Sequence, residues 1–238
     1  MMKTSFAIDK DSGGLQTTAT QLRMTVFALI AIACATLSNA VIATPKTEAN
    51  IIDTPMVESS SRFFDKVYLA EGAKLGNYRK VYVEPGEVSF SDYWEREHRT
   101  DVSNEYKSRI REKYGALLQE QLKKAYSEAE KYEVVEDRSK ADLILKPVLE
   151  NLNIFGPERS TGFTKTFVYR AGNATFNLLI VDAETGEAVA KFVDHRETRE
   201  APGMVLERAD RATNYRDFRQ LMKKWSREVI AHAEEEKV

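Results

Sequence analysis

The sequence predicts an α+β protein, a mainly antiparallel mixed sheet covered by two long amphipathic helices, one central and one C-terminal. Three observations carry that prediction. Apolar residues recur at three- and four-residue spacing through two long segments, 102–129 and 213–235. Around them lie short runs rich in β-branched and aromatic residues, bounded by Gly, Pro and Asp. No internal repeat points to a solenoid, so helices and strands are expected to pack as layers on one core.

Taken in order, residues 78–84 read as a strand that Pro85-Gly86 interrupts, which makes it an edge or a bend. Residues 88–94 read as its continuation, with aromatics on alternating positions, ended by the charged stretch 95–101. The central helix then turns Val102, Tyr106, Ile110, Tyr114, Leu117, Leu118, Leu122, Ala125 and Ala129 to one side. Lys107, Arg111, Glu120, Lys123, Lys124 and Glu128 take the wet side, and Asp101 or Ser103 supplies the cap.

Residues 132–136 and 143–149 read as two strands, the second apolar on both faces as an interior strand is. A long β-like segment, 165–181, carries an expected bulge at Ala171-Gly172-Asn173. Asp182-Ala-Glu-Thr-Gly186 is a tight hairpin whose Gly186 meets the need for a positive φ, and residues 188–195 return. The last helix, 213–235, buries Tyr215, Phe218, Leu221, Met222, Trp225, Val229 and Ala233.

Upstream, residues 24–37 form a charge-free apolar run behind Arg23, shorter than the roughly 20 residues a bilayer core requires. Ser38-Asn39-Ala40 and Val41-Ile42-Ala43 then offer small residues where a signal peptidase reads. Residues 1–43 are therefore expected to be an export signal, cleaved after Ala40 or Ala43 to leave a soluble periplasmic protein. A competing route stays open: Ala31-Ile32-Ala33-Cys34 acts as a lipobox, and an acylated Cys34 attaches the chain to the outer membrane, facing the periplasm. Residues 44–62, with two prolines and a Ser triplet, read as a flexible tether, and 63–238 as a single α+β domain.

Charge and composition bound the chemistry. Lys and Arg number 35 against 37 Asp and Glu, a net of −2, which argues against a nucleic-acid binder. A single Cys excludes an internal disulfide framework, and no Cys/His cluster has the spacing of a metal site, so no cofactor and no metal are expected. Nucleophile-elbow, phosphate-loop and dinucleotide motifs are missing from the sequence. Glu95 and His98 form one Glu-x-x-His pair in a charged connector, where di-metal carboxylate centres need two. Asp194 and His195 are neighbours on a strand and point to opposite faces. His232 reads as a solvated residue suited to the negative end of the last helix.

No catalytic residue is nominated, and the leading expectation is a non-enzymatic protein acting through contacts with an envelope protein. Two contact surfaces are nominated. One is the loop that carries Met204, Val205 and Leu206 after Pro202-Gly203; the other is the basic band Arg216, Arg219, Lys223 and Arg227. The 156–162 loop around Arg159 is a weaker candidate. A binding module for an envelope lipid or glycan is the alternative, and it requires a concave apolar pocket between sheet and helices. A hydrolase with a scattered carboxylate site is the second alternative.

Several landmarks recur together: Tyr78-Arg-Lys-Val-Tyr-Val-Glu-Pro85, the helix leading into Tyr132-Glu-Val-Val-Glu-Asp and Ala141-Asp-Leu-Ile-Leu, the hairpin Val181-Asp-Ala-Glu-Thr-Gly-Glu187, Phe192-Val-Asp-His-Arg196, and the helix of Trp225. In that order they resemble the bacterial envelope family called domain of unknown function 3313, from residue 63 onward. The helix followed by Val-Val and Ala-Asp-Leu-Ile-Leu is also similar to the small modules of TolB N-terminal-like domains. The resemblance implies a periplasm-facing domain, frequently a lipoprotein, with no established enzyme activity and no functional residues to carry across.

Overall fold

A computed structural model of the chain describes residues 55–157, 165–199 and 206–235. The signal positions, Cys34, Ala40 and Ala43 included, lie outside the described residues, as do Arg159, Met204 and Val205. Strand β1 (Met56–Ser59) pairs antiparallel with β2 (Lys66–Ala70), and β2 with β9 (Ala188–Glu197). In turn β9 pairs with β8 (Gly172–Asp182), and β8 with β6 (Leu143–Ile154), again antiparallel. The far side of β6 is parallel: β3 (Lys80–Val83) runs beside its first half, β4 (Glu87–Phe90) beside its second, and β5 (Glu133–Val134) extends the sheet beyond β3. The result is an eight-stranded mixed sheet in the order β1-β2-β9-β8-β6-β3-β5, with β4 also on β6. A separate ribbon pairs β7 (Phe167–Val168) with β10 (Glu207–Arg208). The α+β class and the mainly antiparallel pairing are those the sequence predicts.

Pro147 lies inside β6, where a proline would ordinarily break a ladder. Leu145 O accepts from Glu84 N, so the polar groups of Leu145 point toward β3. Two residues on, Pro147 points the same way, at the level where Pro85-Gly86 separates β3 from β4. The missing N–H therefore faces a gap in the neighbouring strand. The same break lets the sheet approach a helix: a Cβ on Gly115 would sit 2.1 Å from Gly86 O.

The helices are α1 (Asp92–Glu97), α2 (Asn104–Glu128) and α3 (Arg211–Glu235). Ser103 caps α2 by accepting from Tyr106 N at 3.1 Å, and Asp210 caps α3 by accepting from Ala212 N and Thr213 N. Both long helices pack on one face of the sheet. Trp225 of α3 stacks on Phe176 of β8 at 5.3 Å, and Tyr114 of α2 meets Phe218 of α3 at 5.1 Å. Leu118, Leu122, Leu145, Leu149, Leu178, Phe192 and Met222 close the interior with no exposed surface.

Four details differ from the sequence reading. Residues 56–59, read as part of the 44–62 tether, are the edge strand β1; four residues are too few to show a period, and their partner β2 decides their conformation. Residues 92–94, read as strand, begin α1, because Ser91 accepts from Trp94 N and the indole Nε1 of Trp94 donates to Ile154 O at 2.8 Å. The expected bulge at 171–173 sits instead on the partner strand, between Glu150 and Asn153, with Asn151 at φ +51. Gly172 faces it at such close range that a Cβ would lie 1.9 Å from Asn153 O. Lys107, assigned to the wet side of α2, is buried, with its ammonium 5.8 Å from the Trp94 ring.

Candidate functional site

Alternation along the strands divides the sheet into two unlike faces. On β8, Ala174, Phe176, Leu178 and Ile180 turn to the helices and are buried. Thr175, Asn177 and Leu179 turn the other way and are half-buried. No described helix covers that second face. It forms an open groove of about 780 Å³ across β1, β2, β6, β8 and β9.

Register arranges its side chains in rows. Lys146, Leu179, Lys191 and Tyr68 lie opposite one another across β6, β8, β9 and β2. The next row is Val148, Asn177, Val193 and Lys66, and the third is Glu150, Thr175 and His195. With neighbouring strands about 4.8 Å apart, Lys146 and Lys191 stand roughly 10 Å from each other with Leu179 between them. The three ammonium groups take part in no ion pair among the described residues, whereas Glu150 accepts from Asn177 Nδ2 at 2.5 Å. The groove thus sets the aliphatic Met56, Val148, Leu179 and Val193 among the ammonium groups of Lys66, Lys146 and Lys191.

At one end His195 Nδ1 lies 3.0 Å from Thr175 Oγ1. That is the spacing of a base beside a hydroxyl nucleophile. Among the described residues no carboxylate meets the far nitrogen of His195, and the group that would orient the ring in a triad is not in place. On the helix face, Asp194 accepts from Trp225 Nε1 at 2.6 Å and from Asp65 N at 3.1 Å, beside Arg196 Nε at 2.6 Å. Burial raises the Asp194 pKa above the ordinary carboxylate value, and these donors offset only part of that rise. Arg196 continues to Glu228 Oε2 at 2.5 Å and to Phe63 O, so the cluster ties the entry to β2, strand β9 and helix α3 together. Each of these carboxylates has a structural partner.

The residues nominated from sequence fall as follows. Leu206 is 46% exposed beside the β7–β10 ribbon. Arg216 bonds Glu207 at 2.5 Å and Asp217 at 2.9 Å, Arg219 lies 4.0 Å from Glu120, and Arg227 lies 3.7 Å from Glu128. The band runs along the α2–α3 groove, where Lys223 also lies, and carboxylates of the same chain meet most of its charge. His98 is buried against the Trp94 ring with Nδ1 3.2 Å from Asp101, while Glu95 pairs with Arg111. His232, expected in solvent, is buried, its ring edge-on to Phe192 at 5.5 Å, because the last turn of α3 packs back on the sheet. Among the described residues no cluster of three His, Cys, Asp or Glu side chains could hold a metal.

Sequence reasoning missed the open face. Its signal is present as alternate positions, Lys146-x-Val148-x-Glu150, Thr175-x-Asn177-x-Leu179 and Lys191-x-Val193-x-His195. That period says a face differs from its opposite; it does not say that no helix will cover it. The pocket between sheet and helices required by the lipid or glycan alternative is occupied, among the described residues, by Phe176, Trp225, Leu118 and Leu122.

A family model described as protein of unknown function, DUF3313, matches residues 54–229. No curated protein matches the sequence. Among solved structures, a DUF330 protein from Xanthomonas campestris is similar at 11% identity and a TM-score of 0.34, covering 64% of this chain and 81% of its own. The PelC dodecamer from Paraburkholderia phytofirmans shows 15% identity and 0.32, with 66% and 96% covered. A DUF4136 protein from Bacteroides thetaiotaomicron shows 10% identity and 0.30, with 72% and 97% covered. Likenesses at this level are similarity only, and the roles of those proteins stay with them. Among the described residues no helix is long and apolar enough to cross a membrane.

Proposed function

This chain belongs to the DUF3313 family, and on that footing we propose that it is an exported protein of the bacterial envelope that works by holding another protein, not by catalysis. The observation that carries the reading is the sheet face that no described helix covers, where three ammonium groups that no carboxylate among the described residues meets lie among aliphatic side chains. A face this broad and open suits a protein surface. A small ligand there would keep much of its own surface in water, whereas ligand sites commonly bury some 70–90% of it. Lysines interleaved with aliphatic residues offer a protein partner both complementary charge and apolar contact area. Export rests on the apolar run 24–37 and the small residues up to Ala40 and Ala43; attachment through Cys34 is the anchored form of the same proposal.

Photo-crosslinking in intact cells tests it. A benzophenone side chain replaces Leu179, with Lys223 on the helix surface as control. The expected result is one discrete adduct with a second protein, recovered outside the cytoplasm from position 179 and lost when Lys146→Glu and Lys191→Glu are added. Adducts of lipid or glycan mass alone, no adduct at 179, or an unclipped chain confined to the cytosol would each overturn the proposal.

A further inference from the structure

The β7–β10 ribbon lies apart from the main sheet and has two unlike sides. Glu207 pairs with Val168 and Arg208 with Phe167, and one step further along the same register Leu206 stands opposite Tyr169. Phe167, Tyr169, Leu206 and Arg208 therefore share one side, and Thr166, Val168, Glu207 and Ala209 the other. The second side is seated. Ala209 N donates to Thr166 O at 2.8 Å, Ala209 packs on Gly156 so closely that no Cβ would fit, and Asn214 of α3 holds Gly156 O at 3.1 Å. The first side is bare: Phe167 is 52%, Tyr169 53% and Leu206 46% exposed, and Phe155, joined to Ala171 at the ribbon's exit, is 44% exposed. Among the described residues nearby, Glu197 pairs with Arg170 and Glu207 with Arg216, while Asp210, held by the first amides of α3, attracts Arg208 at longer range. Arg208, Lys165 and Arg199 are exposed and take part in no ion pair among the described residues.

We infer that this side of the ribbon is a peripheral docking site for a membrane surface bearing anionic lipid. Four half-exposed large side chains offer about 400 Å² of apolar surface. That is near half of what each partner contributes to a stable protein interface. It is ample for an interfacial contact, where a few aromatic rings settle at the headgroup level and cations beside them meet lipid phosphates. Two copies meeting through this side would bring Arg208, Lys165 and Arg199 together and repel. The site is separate from the open sheet face, and neither proposal stands or falls with the other.

The test places a local reporter on the ribbon of the full chain. In a Cys34→Ser background, a cysteine at Phe167, Tyr169 or, as control on the outer side of α2, Ser127 carries an environment-sensitive fluorophore. Vesicles of phosphatidylethanolamine with about a quarter phosphatidylglycerol should blue-shift the emission and raise it severalfold at 167 and 169, and leave 127 unchanged. Arg208→Glu or Lys165→Glu, each with its melting temperature checked, should weaken the response about tenfold, and high salt should do the same. A flat response at 167 and 169, an equal response to phosphatidylcholine vesicles, an equal change at 127, or a change that needs no vesicles and follows protein concentration would each overturn it.

Discussion

His232 shows at the scale of one side chain how burial changes a residue's meaning. Near the end of a helix its sequence position suits a charged imidazole, yet the ring packs on Phe192 with Nδ1 3.4 Å from Ser61 Oγ. Burial lowers its pKa, and nearby Glu235 offsets only part of the change. The folded state then binds fewer protons than the unfolded chain below the ordinary histidine value of about 6.5. Stability is complete above that value and falls as pH drops through it. Melting temperatures between pH 7.5 and 5 should decline, and His232→Gln should flatten the decline. Asp210 works in the opposite range. Backbone N–H groups, led by that of Thr213, hold its carboxyl below the usual value, so its contribution persists above about pH 4 and is lost on further acidification. Asp210→Ala should cost about 1 kcal/mol at pH 7 in urea unfolding, and much less near pH 2. Trp225 was legible as apolar from its place in the stripe. Its indole bond to Asp194 was not, because the two are 31 positions apart. Trp225→Phe leaves that buried carboxylate short of a donor and should cost about 1–3 kcal/mol by the same measurement.

Among elements, α2 and its glycine carry the clearest lesson. A glycine inside a helix costs roughly 1 kcal/mol against alanine, and in the sequence Gly115 is only that penalty. In the fold it is the point where α2 touches the break between β3 and β4, Gly86 against Gly115. Gly115→Ala should therefore destabilise by about 1–3 kcal/mol despite its better helix propensity, with a lower urea midpoint at unchanged slope. A stabilised Ala variant would mean that helix and strand can separate at little cost. The long helices were legible because their apolar residues repeat over seven turns or so, which no strand can mimic. Short elements were not. In α1 the aromatics alternate as in a strand, and the Ser91 cap with the Trp94–Ile154 bond overrides that preference. β1 has too few residues to show a pattern at all.

For the whole molecule, the decisive feature is that both long helices lie on one side of the sheet. The other side keeps Lys66, Lys146 and Lys191 around Leu179 and Val193. Changing exposed Lys66 and Lys191 to Glu should move stability little, since exposed substitutions away from caps and ion pairs usually stay within about 0.5 kcal/mol each, and half-buried Lys146→Glu should cost somewhat more. The three changes together should still abolish the crosslink from position 179. A triple variant that keeps its crosslink would detach binding from that face.

Taken alone, the sequence determined the α+β class, the two long helices with their buried stripes, the Asp182–Gly186 hairpin and the interior place of β6. All of these follow from periodicity or turn chemistry, which act between residues close along the chain. The apolar run before Ala40, too, is written in consecutive residues. Tertiary structure alone decided that His232 is buried, that Arg219 and Arg227 face carboxylates of α2, that Pro147 meets a gap, and which sheet face no described helix covers. Each of those depends on which segments become neighbours across tens or hundreds of positions, and a one-dimensional pattern holds no record of what packs against a face once it has formed.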